Sequence, residues 1–178
     1  GAELGIHPLT PMRGTNVLNA VPFAVDTLPE LLETEPNDPS GPPQPVTLPV
    51  IINGRVDRPD DWDVFEFEGR AGQEIVAEVI ARRLDSPLDS ILKLTDSAGQ
   101  VLAVNDDRED PATGLNTHHA DSYLAVKLPA NGRYRVHLGD TTRAGSAEHA
   151  YRLRLSSPRP DFALRVVPSS VSLRNKSS

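Results

Sequence analysis

Arg133-Tyr134-Arg135-Val136-His137-Leu138 alternates polar and apolar residues without a break. Successive side chains of a β-strand point to opposite faces, so Tyr134, Val136 and Leu138 should enter a core while Arg133, Arg135 and His137 look outward. The same rhythm recurs on both sides of this stretch. Residues 122–128 set Leu124, Val126 and Leu128 inward, and residues 151–155 do so with Tyr151, Leu153 and Leu155. Further upstream, Phe65 and Phe67 share one face of residues 63–68, with Glu66 and Glu68 on the other. Residues 74–81 follow the turn Arg70-Ala71-Gly72, and residues 90–95 and 100–104 flank the hairpin turn Asp96-Ser97-Ala98-Gly99. Residues 46–52 open the series, and residues 162–167, with Phe162, Leu164 and Val166 in phase, close it. About eight short strands separated by turn signals predict an all-β, antiparallel sandwich.

Composition agrees. The 178 residues suffice for one such domain, and the 17 prolines are about twice the usual share. Proline breaks helices, and the one helical expectation is a turn around residues 28–32. The 25 Asp and Glu against 18 Lys and Arg give a net charge of −7, which argues against nucleic-acid binding. Cysteine is absent, which excludes thiolate zinc sites and disulfides. No apolar run is long enough to span a membrane, and the N-terminus has no signal-peptide pattern. The chain reads as part of a longer protein.

The acids are not spread evenly. They gather at residues 33–38, 57–63, 106–110 and 121, in stretches that read as loops. Glu33-Thr34-Glu35-Pro36-Asn37-Asp38 presents Glu33, Glu35 and Asn37 to one side if extended, and Pro36 favours that conformation at Glu35. Calcium takes six to eight oxygen ligands at about 2.3–2.6 Å, and a divalent ion converts the repulsion of crowded carboxylates into binding. Asp57, Asp60, Asp61 and Asp63 offer a second supply just ahead of the Phe65–Phe67 strand. The competing reading is a solvated acidic turn. Asp89, Asp106, Asp107 and Asp121 form a further group, either a second metal site or caps for the loop spanning 105–121.

At this point several elements resemble a known family. Glu33-Thr34-Glu35-Pro36-Asn37-Asp38 is similar to the E-x-E-P-N-D motif that opens bacterial pre-peptidase C-terminal domains. Asn53-Gly54-Arg55-Val56, Asp61-Trp62-Asp63-Val64-Phe65-Glu66-Phe67, Ser86-Pro87-Leu88-Asp89, Leu102-Ala103-Val104-Asn105-Asp106-Asp107 and Leu128-Pro129-Ala130-Asn131-Gly132-Arg133-Tyr134 continue the likeness in order, over roughly residues 28–156. The versions in exported multidomain proteins of planctomycete-type bacteria are the most alike. The resemblance implies a jelly-roll-like β-sandwich, similar to the collagen-binding domains of clostridial collagenases. It implies a non-catalytic accessory module that is secreted, periplasmic or at the cell surface, with adjacent domains of the same polypeptide as partners. It also implies calcium held by Glu33, Glu35 and the Asn37 carbonyl with a later pair, Asp60 and Asp63, Asp61 being an equal candidate; Asp38 would orient the segment or ligate. The tyrosine-rich collagen-binding face has no clear counterpart. Under this reading residues 1–26 are closing strands of an upstream immunoglobulin-like domain or an N-terminal extension, 27–157 the calcium-binding module, and 158–178 a final strand and linker.

Two other constellations deserve weighing. Arg133, Arg135 and His137, with Arg152 and Arg154 on an expected neighbouring strand, would make an arginine-rich face for an anionic polysaccharide or extracellular protein, unless Glu66, Glu68 or Glu78 pair with them. His118-His119-Ala120-Asp121 is the one stretch that suggests a metal-dependent hydrolase, but no H-E-x-x-H spacing or G-x-S-x-G supports it.

Overall fold

The computed structural model describes residues 3–109 and 118–159; of residues 109, 118 and 119 only the backbone is described. The expected strand at residues 162–167 lies outside that range. In chain order the N-terminal part forms β1 (Gly5–Leu9), β2 (Met12–Arg13), β3 (Asn16–Val17) and β4 (Val21–Val25). The following strands are β5 (Glu30–Leu32), β6 (Gln44–Pro45), β7 (Val50–Arg55), β8 (Trp62–Gly69), β9 (Glu74–Ile80), β10 (Ser90–Asp96) and β11 (Val101–Asn105). A small ladder of β12 (Arg108–Glu109) and β13 (His118–His119) precedes β14 (Tyr123–Lys127), β15 (Gly132–Asp140) and β16 (Ala150–Ser156).

Among the described residues two five-stranded sheets make the sandwich, in the orders β14-β9-β16-β7-β5 and β11-β10-β15-β8-β6. Their alternating apolar positions meet between them: Ile52, Val79, Leu153 and Leu155 from the first sheet face Phe65, Leu92, Val136 and Leu138 from the second, all with no measurable exposure. Burial of each such side chain is worth about 1.5–3 kcal/mol. The phase read from the sequence therefore holds at Tyr134, Val136, Leu138, Leu124, Leu128, Tyr151, Leu153 and Leu155, all of which are buried.

Two details differ from expectation. The sheets are mixed, because the edge strand β5 runs parallel to β7 and the edge strand β6 parallel to β8. Residues 30–32 are a strand and not a helical turn: Leu31 pairs with Ile52 and packs on the core, and that tertiary contact overrides local preference. β5 and β6 lie at the edges of different sheets, so the acidic segment between them crosses from one sheet to the other.

The N-terminal hairpin pairs β1 with β4 in antiparallel register, Gly5 opposite Val25 and Leu9 opposite Val21. Ile51 and Val76 point away from the sandwich core yet are only 2% and 1% exposed. They line a cleft whose other wall includes Leu4, Ile6, Ala24 and Val25, so the hairpin lies over the outer face of the first sheet. An ion pair between Arg159 and Asp26 at 2.8 Å ties the end of the described chain to the base of the hairpin.

Candidate metal centre

The crossing segment is pinned to both sheets. Glu33 N–H donates to the Asn53 carbonyl of β7 at 2.9 Å, and its carboxylate Oε2 accepts the Arg55 N–H at 2.7 Å. On the other sheet, the Val64 N–H of β8 donates to the Asn37 carbonyl at 3.0 Å. Gln44 fastens the segment's two ends, accepting from the Thr34 N–H and donating to the Leu32 carbonyl. The Glu35–Pro36 peptide is cis.

This anchoring gathers Glu33, Glu35 and Asp63, whose carboxylate oxygens lie within 4.8 Å of one another. Among the described residues this is the one group of three or more carboxylates or histidines at ligating distance. Asp63 forms the buried floor, Glu33 is half-buried, and Glu35 stands exposed at the mouth. Asn37 is buried beside them: its side-chain N–H donates to Glu33 Oε1 at 3.1 Å and its backbone N–H to Glu35 Oε2 at 3.0 Å. The Tyr151 hydroxyl of β16 donates to Asp63 Oδ2 at 2.7 Å.

Three buried oxygens at this end of the sandwich, Asn37 Oδ1, Asp61 Oδ1 and Asp63 Oδ1, accept no hydrogen bond from the described residues. A buried acceptor without a donor costs about 1–3 kcal/mol, so such atoms ask for a ligand. Asp61 Oδ1 lies 3.2 Å from Arg58 Nη2, without hydrogen-bond geometry, and the same guanidinium reaches Asp38 Oδ1 at 2.9 Å. The donor set is all oxygen and negatively charged, which fits a hard divalent cation.

The electrostatics agree with crowding. Burial, then the hydrogen bond and charge of Glu33, push the Asp63 carboxyl up to about 10. Burial also raises Glu35, with the charges of Asp61, Glu33 and Asp38 adding to it. Asp61 is raised by burial against the opposing backbone bond from Asp57 and the charge of Arg58. The Tyr151 hydroxyl is held well above its ordinary value by burial and by Asp63 and Glu33.

Of the other expected ligands, Asp60 lies apart from the three-carboxylate group. Asp60 adopts a left-handed backbone, φ 64°, and its exposed side chain turns to Arg143 at 3.7 Å, away from the cluster. Asp61 Oδ2 accepts the Asp57 N–H at 2.9 Å. The Asn37 carbonyl accepts one hydrogen bond, from Val64, and keeps its second lone pair, and the amide oxygen of Asn37 accepts none from the described residues.

Asp89, Asp106, Asp107 and Asp121 do not converge. Asp121 is buried and caps the short 3₁₀ turn Arg82–Leu84, accepting the N–H groups of Ala81 and Arg82 and the Arg83 Nε–H at 2.7 Å. Asp89 accepts the Thr141 hydroxyl and donates its N–H to Asp140. Asp106 is exposed and Asp107 half-buried. The side chains of His118 and His119 lie outside the described residues.

The single arginine-rich face is corrected. Arg133, Arg135 and His137 sit on β15, whose neighbours are β8 and β10, whereas Arg152 and Arg154 sit on β16, between β7 and β9. The two sets therefore occupy outer faces of opposite sheets. Each arginine is also paired: Arg133 and Arg135 with Glu66, Arg152 with Glu30, Arg154 with Glu78. His137 is only 9% exposed and contacts Thr95.

Two residues of the site lie outside the ligands that the sequence suggests. Tyr151 reads as an ordinary core position, yet its hydroxyl holds Asp63. Gly54 is required by close approach, because a Cβ there would meet Glu33 Oε2 and the Tyr151 ring. Its place in Asn53-Gly54-Arg55-Val56 was the available clue.

No family model matches the chain. Over 106 residues it is 41% identical to a subtilase-type serine protease of Deinococcus radiodurans, covering 56% of this chain and 13% of that protein. The chain thus spans about an eighth of the length of the curated relative that it matches. Among solved structures it is similar to PliG, a periplasmic inhibitor of g-type lysozyme from Salmonella Typhimurium, at 15% identity and TM-score 0.38, covering 64% of this chain and 98% of that one. It is also similar, at 14% identity and TM-score 0.44, to the pre-peptidase C-terminal domain of collagenase from Bacillus anthracis, covering 74% of this chain and all of that one.

Proposed function

We propose that the chain is a non-catalytic, calcium-binding accessory module of the pre-peptidase C-terminal type, carried by an exported bacterial multidomain protein of the subtilase protease kind. The observation that carries this reading is the convergence of Glu33, Glu35 and Asp63, where the buried Oδ1 atoms of Asp63 and Asn37 accept no hydrogen bond from the described residues. Glu33, Glu35 and Asp63 would hold the ion, with the amide oxygen of Asn37 and the carboxylate of Asp61 completing the shell. Calcium supplies charge neutralisation there and no reaction chemistry. Its role is to fix the segment between β5 and β6, and with it the path of the chain arriving from residues 1–26. The match to a fragment of a protease supports an attached rather than a free-standing role.

Scanning calorimetry with calcium and with EDTA tests the proposal. Selective binding to the folded state raises the melting temperature by mass action. Glu35→Ala, at an exposed position, should abolish the rise without unfolding the domain. An unchanged melting temperature in the parent chain would sink the reading.

A further inference from the structure

We infer that the cleft between the N-terminal hairpin and the outer face of the first sheet binds an apolar molecule that ends in a carboxylate. The cleft has a volume of about 530 Å³, within the range of small-ligand sites. Its walls are apolar, with Ile6 and Val25 on the hairpin side and Ile51, Val76 and Ile80 on the sheet. Its floor is cationic. Arg83, Arg108 and Arg154 all reach the one carboxylate of Glu78, at 3.1, 3.3 and 3.1 Å.

Arg83 also pairs with the buried Asp121 at 2.7 Å, so among the described residues three guanidiniums face two carboxylates, a surplus of one positive charge. Arg152 lines the cleft as well, with its terminal nitrogens on Glu30 and Asn53 and a buried Nε–H that has no acceptor among the described residues. Arg108 lies over the Tyr123 ring, 4.8 Å from its centroid, which holds the guanidinium plane in place.

A guanidinium fork matches a planar carboxylate, and a single surplus charge matches a monoanion rather than a polyanion. The apolar walls require the rest of the ligand to be apolar. A peptide C-terminus with an aliphatic last residue has this chemistry. The site is separate from the metal centre and does not rest on it.

Isothermal titration of the chain with N-acetyl-L-leucine and with its neutral analogue N-acetyl-L-leucinamide tests the inference, in calcium and in EDTA alike. The acid should bind saturably in the millimolar range and the amide about tenfold more weakly. Glu78→Gln removes the internal competitor and should tighten the acid about fivefold, whereas Arg108→Gln should weaken it about fivefold. Equal binding of acid and amide, or no binding of the acid to either the parent chain or Glu78→Gln, would overturn the inference. If Glu78→Gln fails to fold, an unchanged affinity in Arg108→Gln overturns it, since Arg108 is partly exposed and Arg83 and Arg154 still hold Glu78 without it.

Discussion

Replacing Asp63 by asparagine should stabilise the calcium-free chain and, in the same protein, remove its response to calcium. The carboxyl has no measurable exposure and shares its surroundings with Glu33 and Glu35. Burial and Glu33 hold it up to about 10, against 3.8 for the unfolded chain. A folded value raised in this way favours folding fully below 3.8, and the benefit is lost as pH rises toward the folded value. Near neutrality the folded carboxyl keeps its proton while the unfolded one has lost it. The gap of about three pH units, at about 1.36 kcal/mol each, sets a cost of about 4 kcal/mol, and any folded value above neutrality gives the same figure. Asparagine is neutral in both states and can still accept the Tyr151 hydroxyl. Even half the relief, about 2 kcal/mol, raises the melting temperature by about 5 °C for a chain of this size. Calcium at about a hundredfold excess over its dissociation constant should stabilise the parent by about 2.7 kcal/mol, and the variant far less, because an amide oxygen brings no charge. Differential scanning calorimetry at neutral pH, with EDTA and with calcium, reads both effects. A variant that melts below the parent in EDTA, or that responds to calcium as the parent does, refutes the reasoning.

Three further outcomes are expected. Gly54→Ala places a methyl group against Glu33 and the Tyr151 ring, so urea denaturation should show a loss of about 2 kcal/mol, and calcium affinity should fall with it. Asp121→Ala strands the N–H groups of Ala81 and Arg82 and the Arg83 guanidinium, costing about 3 kcal/mol, yet leaves the calcium-induced rise in melting temperature intact. Burial, with Lys93 and Arg135 adding to it, lowers His137 from 6.5 to about 4. Its contribution is therefore complete above 6.5 and is lost as pH falls toward 4, at most about 3 kcal/mol; His137→Gln should flatten that slope in denaturation curves taken across the window.

The strand pattern was legible because burial on one face imposes a period of two on any half-buried strand. That rule placed β8, β10, β14, β15 and β16 within a residue or two of where they lie. It could not choose neighbours. Arg135 and Arg152 each alternate correctly, but only the pairing of β15 with β8 and of β16 with β7 puts them on opposite sheets. The parallel edge strands were hidden for a related reason: three residues at 30–32 and two at 44–45 are too short to carry a period, and their partners are remote in sequence. The acidic segment announced itself by composition. Which aspartates of 57–63 joined it depended on backbone turns: Asp60, at φ 64°, swings outward, while Asp63, in register on β8, points in. Tyr151 was misread as core alone because a tyrosine's hydroxyl partner is a tertiary fact.

The position of the cluster bears on what an ion there would do. Glu33 is fastened to β7 and Asp63 belongs to β8, strands of different sheets, and Tyr151 reaches from β16 of the first sheet to Asp63 of the second. The crossing segment belongs to no strand between β5 and β6, so its path is held by the two backbone bonds of Glu33 and Asn37 and by side chains: Glu33, Gln44, Asn37 and the Arg58 bridge to Asp38 and Asp61. Without a cation these acids repel and must share protons; with one, the same charges would tie the two sheets together at that end. The 28–32 stretch leads from the N-terminal hairpin directly into this tie. Binding energy from an ion at Asp63 would therefore be expressed as order in the segment that leads from the hairpin into the sandwich.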